Sequence, residues 1–171
     1  SSGSTFVPTK VLADLYTMKN GKAITDATSG FDPKNPYVNR DPRMRFTMYV
    51  DGDALPSGIL FKPIPGGGGG DEIGKTQYNT TTGFSLKKYV SAEDFANPGA
   101  SGLNFILLRY AEVLLTYAEA KIELNQIDAT VYDAINKIRT RSDVGLPALS
   151  SGLTQAELRT VVRRERTLEL A

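Results

Sequence analysis

The residues whose types and spacing could do chemistry lie mostly in the second half of the chain. They are Arg109, Glu112, Glu119, Arg139, Arg141, Glu165 and Arg166. Mixed cations and carboxylates can line a ligand cleft, and paired carboxylates can carry acid–base chemistry when a nucleophile or polarising group stands beside them. No such neighbour is visible here. The chain has no histidine and no cysteine, so the commonest general base, the commonest transition-metal ligand and every thiolate are missing. A polar stripe on a packed helix is more often an ion-pair network that fixes how helices dock, and these seven residues read that way. Asp51-Gly52-Asp53 offers two carboxylates to a calcium ion but lacks the rest of a ligand loop, and reads as a turn. No catalytic residue, metal or cofactor is expected.

The helices that must position those charges are legible. From Leu103 to Leu124 the sequence is apolar except for a stripe at Arg109, Glu112, Thr116, Glu119 and Glu123, which share one face at about 100° per residue. A helix apolar on most sides has to be surrounded by protein, so this one is expected to be a buried hub. Its charges also argue against a membrane span. A second helix is predicted from Asp128 or Thr130, with Val131, Ala134, Ile135 and Ile138 on one face. The link from Asn125 to Ala129 is short enough to make the two antiparallel neighbours. A third helix announces its start with Thr154 and Glu157 as a capping box and Leu153 with Leu158 as a hydrophobic staple. Small residues at Ala111, Ala118 and Ala134 make the helical hairpin resemble a tetratricopeptide-type unit, which normally stacks in series.

Before residue 100 the chain is rich in turn formers such as Asp32-Pro33, Asn35-Pro36, Asp41-Pro42 and Asp51-Gly52. A short helix is predicted over Thr9 to Met18, and strands over Arg45 to Val50 and Phe84 to Val90. Five consecutive glycines, Gly66 to Gly70, read as a flexible surface loop, or as a loop that follows a ligand. The fold class is therefore mainly α, in two parts: a loop-rich region over 1–100 with a short helix and short strands, and a tetratricopeptide-like helical region over 101–171. In its 171 residues, 20 basic and 19 acidic side chains leave a net charge of +1, which gives no electrostatic reason to expect nucleic acid or an anionic membrane. Ser1-Ser2-Gly3-Ser4 has neither the basic start nor the apolar run of a signal peptide. With no initial Met and an end inside a helical pattern, the chain is expected to be a piece of something longer.

Several blocks then become specific. Arg109-Tyr110-Ala111-Glu112-Val113-Leu114-Leu115, continuing through Ala118-Glu119-Ala120, resembles the signature helix of the SusD/RagB family of nutrient-binding surface lipoproteins of Bacteroidetes. Ala134 to Arg141 is similar to that family's Asn-x-x-Arg-x-Arg segment, and Glu165-Arg166-Thr167-Leu168-Glu169-Leu170 to its Glu-Arg-x-x-Glu-Leu stretch. Upstream, Met18-Lys19-Asn20-Gly21 and Asn35 to Arg43 match as well, with Asn39-Arg40-Asp41-Pro42-Arg43 a distinctive pentapeptide.

The resemblance implies a non-enzymatic protein at the outer membrane, on the cell-surface side. It would be held by a lipid anchor absent from this piece, and would bind a polysaccharide or oligosaccharide for import through a SusC-like TonB-dependent transporter. It also implies that helical repeats form the scaffold while irregular loops hold the ligand. Sugar recognition uses aromatic faces against the ring and amide or carboxylate hydrogen bonds to hydroxyls, which needs no metal. On that basis Phe61, Tyr78, Asn79 and Phe84, around the polyglycine run, are the candidate ligand contacts. Two rival readings stand beside it. One is a helical protein–protein interaction scaffold with no glycan binding of its own. The other is a glycan hydrolase, which would need two carboxylates across a cleft.

Overall fold

The computed structural model describes residues 6–77, 79–97, 99–104 and 106–171, without the side chain at position 95. Contacts group the chain into two compact units. Unit 1 comprises Ser1–Asp14 and Met44–Phe105, and unit 2 comprises Leu15–Arg43 and Ile106–Ala171. The compositional change near residue 100 is thus not the only boundary, because residues 15–43 belong with the helices.

In unit 2, helices α4 (Tyr110–Glu123), α5 (Ala129–Arg139) and α6 (Gln155–Leu170) enclose one apolar core. Ala111, Leu115, Ala118 and Ile122 of α4 recur at helical spacing and meet Val131, Ala134, Ile135 and Ile138 of α5 and Leu158 and Val162 of α6. The α4–α5 link works as its length requires. Asn125 takes φ +56, its N–H donates to the Ile122 carbonyl at 3.0 Å, and the Gln126 N–H donates to Lys121 at 2.8 Å. That 5→2 and 6→1 pair is a Schellman stop. Asp128 then starts α5 by accepting the Thr130 N–H. The capping box of Thr154 and Glu157 opens α6 with both reciprocal bonds made, and Leu153 and Leu158 pack on the core as a staple should.

The hub helix differs from expectation in two ways. It starts at Tyr110, not near Leu103, because Arg109 is extended (φ −119°, ψ 149°) and occupies the N-cap position. Its guanidinium is held there by the Glu169 carboxylate and carbonyl, at 2.6 and 2.8 Å. Nor is α4 buried all round. Tyr110, Val113 and Tyr117 are 67, 49 and 45% exposed, so only one face meets the core.

The N-terminal elements are shorter than the sequence suggests. Helix α1 spans Lys10–Leu15. It ends early because residues 17–19 run extended against 39–41: Met18 bridges Arg40, the Asp41 N–H donates to Thr17 at 2.8 Å, and Lys19 N–H to Asn39 at 2.7 Å. The strand expected over Arg45 to Val50 is mostly a helical turn, α2 (Arg43–Thr47), followed by β1 (Met48–Tyr49). Asp41-Pro42 is the cause: the Asp41 carboxylate accepts the Arg43 N–H at 3.0 Å and proline suits the first turn. β1 pairs antiparallel with β2 (Ser85–Leu86), Met48 opposite Leu86 and Tyr49 opposite Ser85. β2 stops where Tyr89 turns left-handed. A one-turn helix, α3 (Ala92–Ala96), follows, capped by Ser91.

Candidate functional site

Two places gather polar chemistry, one in each unit. In unit 1 it is the loop after Pro65. The Gly68 N–H donates to Glu72 Oε1 at 2.7 Å and the Gly66 N–H to Glu72 Oε2 at 3.3 Å. These bonds draw the Glu72 carboxyl below its ordinary value, Gly66 most strongly, against the opposing effect of burial and with lesser help from Gly68, Lys75 and Gly69. Asn79 closes the far side, its Nδ2 donating to the Gly70 and Glu72 carbonyls at 2.9 and 2.8 Å while its Oδ1 accepts from Thr76. The polyglycine run is therefore a formed loop around a carboxylate, and not slack chain.

The four candidate ligand contacts fall differently. Phe61 and Phe84 are 2 and 5% exposed, and Phe61 sits against Tyr49 with ring centroids 6.5 Å apart. Their faces are spent on packing. Asn79 spends its amide on the loop. Tyr78 lies outside the described residues. Among the aromatics that reach solvent, one that sequence reasoning passed over is Tyr89. It is 44% exposed and held at φ +63, a conformation an aromatic residue rarely adopts. Only the pair of lysines before it, and no periodicity, marks the place in sequence. Asp51-Gly52-Asp53 is a turn: Asp53 gives one oxygen to Arg45 and the other to the Val50 N–H at 3.0 Å, so neither is available to a cation.

In unit 2 the charges form two layers. The buried layer centres on Glu165 and Glu169, 1 and 4% exposed. Glu165 takes Arg139 on one oxygen and Arg43 Nη1, at 2.9 Å, on the other. Glu169 takes Arg109 at 2.6 Å, Arg141 at 2.9 Å and Arg43 at 3.4 Å, while Asp41 completes the layer with Arg43 at 2.7 Å. Burial pushes the Glu169 carboxyl up, but the Arg141 hydrogen bond and the charges of Arg141, Arg109 and Arg43 outweigh it and hold the group below the ordinary value. The outer layer zips α4 to α6 in antiparallel order. Glu112 meets Arg166 at 2.9 Å, Glu119 meets Arg163 at 3.6 Å, and Glu123 takes Arg159 through two 2.7 Å bonds.

All seven sequence-selected charges thus sit in ion pairs with each other or with neighbours, and every carboxylate among them faces an arginine. Ion pairs of this kind, made from one helix to another, orient the helices they join. Asp41, Arg43 and Glu169 were missed as members of the buried layer. The Asn39 to Arg43 pentapeptide was visible, but its charges lie some 120 residues from their partners, a pairing no local period shows. Beside the layer, Arg109, Tyr110, Ala111, Leu114, Lys137, Ile138 and Arg141 line an open groove of about 560 Å³ with an apolar floor and a basic rim.

The SusD family model matches residues 1–171 of this chain. Over 80 residues, covering 44% of this chain and 16% of the relative, it is 39% identical to a SusD-like protein P2 of Formosa agariphila. A solved SusD-like carbohydrate-binding protein of Bacteroides fragilis superposes with TM-score 0.76 at 31% identity, over 96% of this chain and 33% of that one. A second SusD-like protein of B. fragilis gives TM-score 0.70 at 26% identity over the same shares. The chain spans about a third of the length of these solved structures.

Proposed function

Because this chain belongs to the SusD family, we propose that the protein it represents binds a glycan at the cell surface, without catalysis, and delivers it to a SusC-like TonB-dependent transporter in the outer membrane. The observation that carries this reading is the 31% identity and TM-score of 0.76, across 96% of the chain, to a SusD-like carbohydrate-binding protein. The distribution of chemistry supports it. Carboxylates in unit 2 are neutralised by arginines, and unit 1 presents hydrogen-bonding loops and an exposed tyrosine. No helix among the described residues is long and apolar enough to cross a membrane.

Within this reading Tyr89 supplies the aromatic face for a sugar ring, the role first given to Phe61 and Phe84. In the full-length protein, Tyr89→Ala should weaken binding of the cognate oligosaccharide about fivefold, the loss of about 1 kcal/mol of stacking. Because alanine keeps a Cβ, the variant leaves the left-handed backbone at this position as it is, and thermal stability should change little. Calorimetric titration reads the affinity, and unchanged binding would remove Tyr89 from the site. Turnover of a labelled polysaccharide by the same preparation would overturn the non-catalytic reading itself.

One observation favours the scaffold alternative. Leu107, Leu108, Tyr110, Val113 and Tyr117 leave an apolar face on unit 2 exposed beside the basic-rimmed groove, the kind of surface proteins bury against one another. A full-length protein that co-purified with its transporter but bound no glycan on an array would establish that alternative. Loss of co-purification in Val113→Glu, with glycan binding retained, would assign the face to docking within the favoured reading.

A further inference from the structure

The Gly66–Gly70 loop binds an anion, and the anion is its own. Two backbone N–H groups converge on the Glu72 carboxylate, from Gly68 at 2.7 Å and Gly66 at 3.3 Å. Gly66 and Gly68 stand at φ +81 and +76, and this alternation turns successive N–H groups to one side as an anion nest. We propose that this nest is a receiving site for the acidic group of a glycan, a carboxylate or a sulfate ester, and that Glu72 occupies it until such a group takes its place. The proposal rests on the glycan-binding reading for the source of the anion, and deepens it by naming the ligand as acidic.

Three observations carry it. The donors are backbone amides, which have no preference among oxyanions beyond size and charge, so what holds a glutamate oxygen holds a uronate or sulfate oxygen equally well. The nest is reachable, since Gly66 and Gly68 are exposed and Glu72 is only half-buried. The loop's frame does not depend on Glu72's side chain. Asn79 Nδ2 holds the Gly70 and Glu72 carbonyls, the Ile73 N–H donates to Pro63 at 2.9 Å, and Lys75 Nζ donates to the Gly69 carbonyl at 2.9 Å. A carboxylate leaving the nest meets Lys75, which already acts on its charge, so displacement does not strand it.

The test uses the full-length protein with 15N-glycine labelling. It is titrated with a glucuronate hexamer for the carboxylate arm, sulfated maltohexaose for the sulfate arm, and unmodified maltohexaose as the neutral control. The acidic probes should move the Gly66, Gly68 and Gly69 amide signals, and the neutral one should leave them in place. Glu72→Ala, which removes the internal competitor, should bind the acidic probe about tenfold more tightly, and Glu72→Gln, which keeps an amide oxygen in the nest, should fall between. Whichever arm responds identifies the acidic group. The proposal is overturned if the acidic probes leave these amides unmoved in the wild type and both variants, or if only free inorganic sulfate moves them. Should maltohexaose bind elsewhere while the nest stays silent, the nest fails and the glycan reading stands. If none of the probes binds at all, both fail together.

Discussion

Glu165 shows how much one side chain can hold. It is 1% exposed, with Arg139 on one oxygen and Arg43 on the other. Removing it leaves two buried guanidinium groups facing each other without an intervening charge. Truncating one member of a buried ion pair typically costs about 3–5 kcal/mol, so Glu165→Ala should lower unfolding free energy in urea by about that amount. A loss below about 1 kcal/mol would show the layer to be solvated. Glu169 makes the second residue-scale statement, one about pH. Its native carboxyl is held below the ordinary value, so in acid the unfolded chain binds the proton more readily than the folded one. Its stabilising contribution is complete above the ordinary carboxylate range and disappears as pH falls through that range to the lowered native value. Urea midpoints between pH 7 and 3 should decline for the wild type. The decline should be shallower in Glu169→Gln, though that variant starts from lower stability.

The elements were legible to different degrees, for reasons of physics. The starts of α5 and α6 could be placed within a residue because they are chemical: Asp128 and Thr154 each accept a backbone N–H three or fewer positions on. Helix α4 was overextended at its N-terminus because an apolar run, Leu103 to Leu108, has no stop signal of its own. What ends the helix is Arg109 reaching Glu169, sixty residues away. Reading Arg45 to Val50 as one strand failed for a local reason, since Asp41 caps the Arg43 N–H and opens a helical turn there. At the start of α4 a side chain committed to a distant partner overrode the local pattern. These placements separate three substitutions. Leu115→Ala, in the fully buried face of α4, should cost about 2–5 kcal/mol. Val113→Ala, two residues earlier on the exposed face, should stay within about 0.5 kcal/mol. Thr154→Ala should lose about 1 kcal/mol with its cap. Equal effects at 113 and 115, read from thermal or urea melts, would mean α4 is buried all round after all.

For the molecule as a whole, the division of labour between units was only partly visible in sequence. That residues 15–43 belong with the C-terminal helices follows from the Tyr16 hydroxyl donating to the Leu168 carbonyl at 3.4 Å and from Arg43 reaching α6. Composition cannot report either contact. The polyglycine run misled in the opposite sense, because its simplicity in letters hides a fixed geometry. At Gly69 even a methyl group would come within 2.4 Å of the Lys62 carbonyl oxygen, whereas at Gly70 it would meet nothing. The run therefore acts as a gauge of length: five glycines and Asp71 set the distance from Pro65 to Glu72, and a sixth glycine would put the carboxylate out of phase with its amides. Inserting one glycine after Gly70 should leave the melting temperature nearly unchanged, since lengthening a surface loop costs little. It should return the Glu72 carboxyl to its ordinary titration, as followed by 13C resonances. Such a stretch would tolerate substitution at some positions and no change in length, the reverse of what a spacer tolerates.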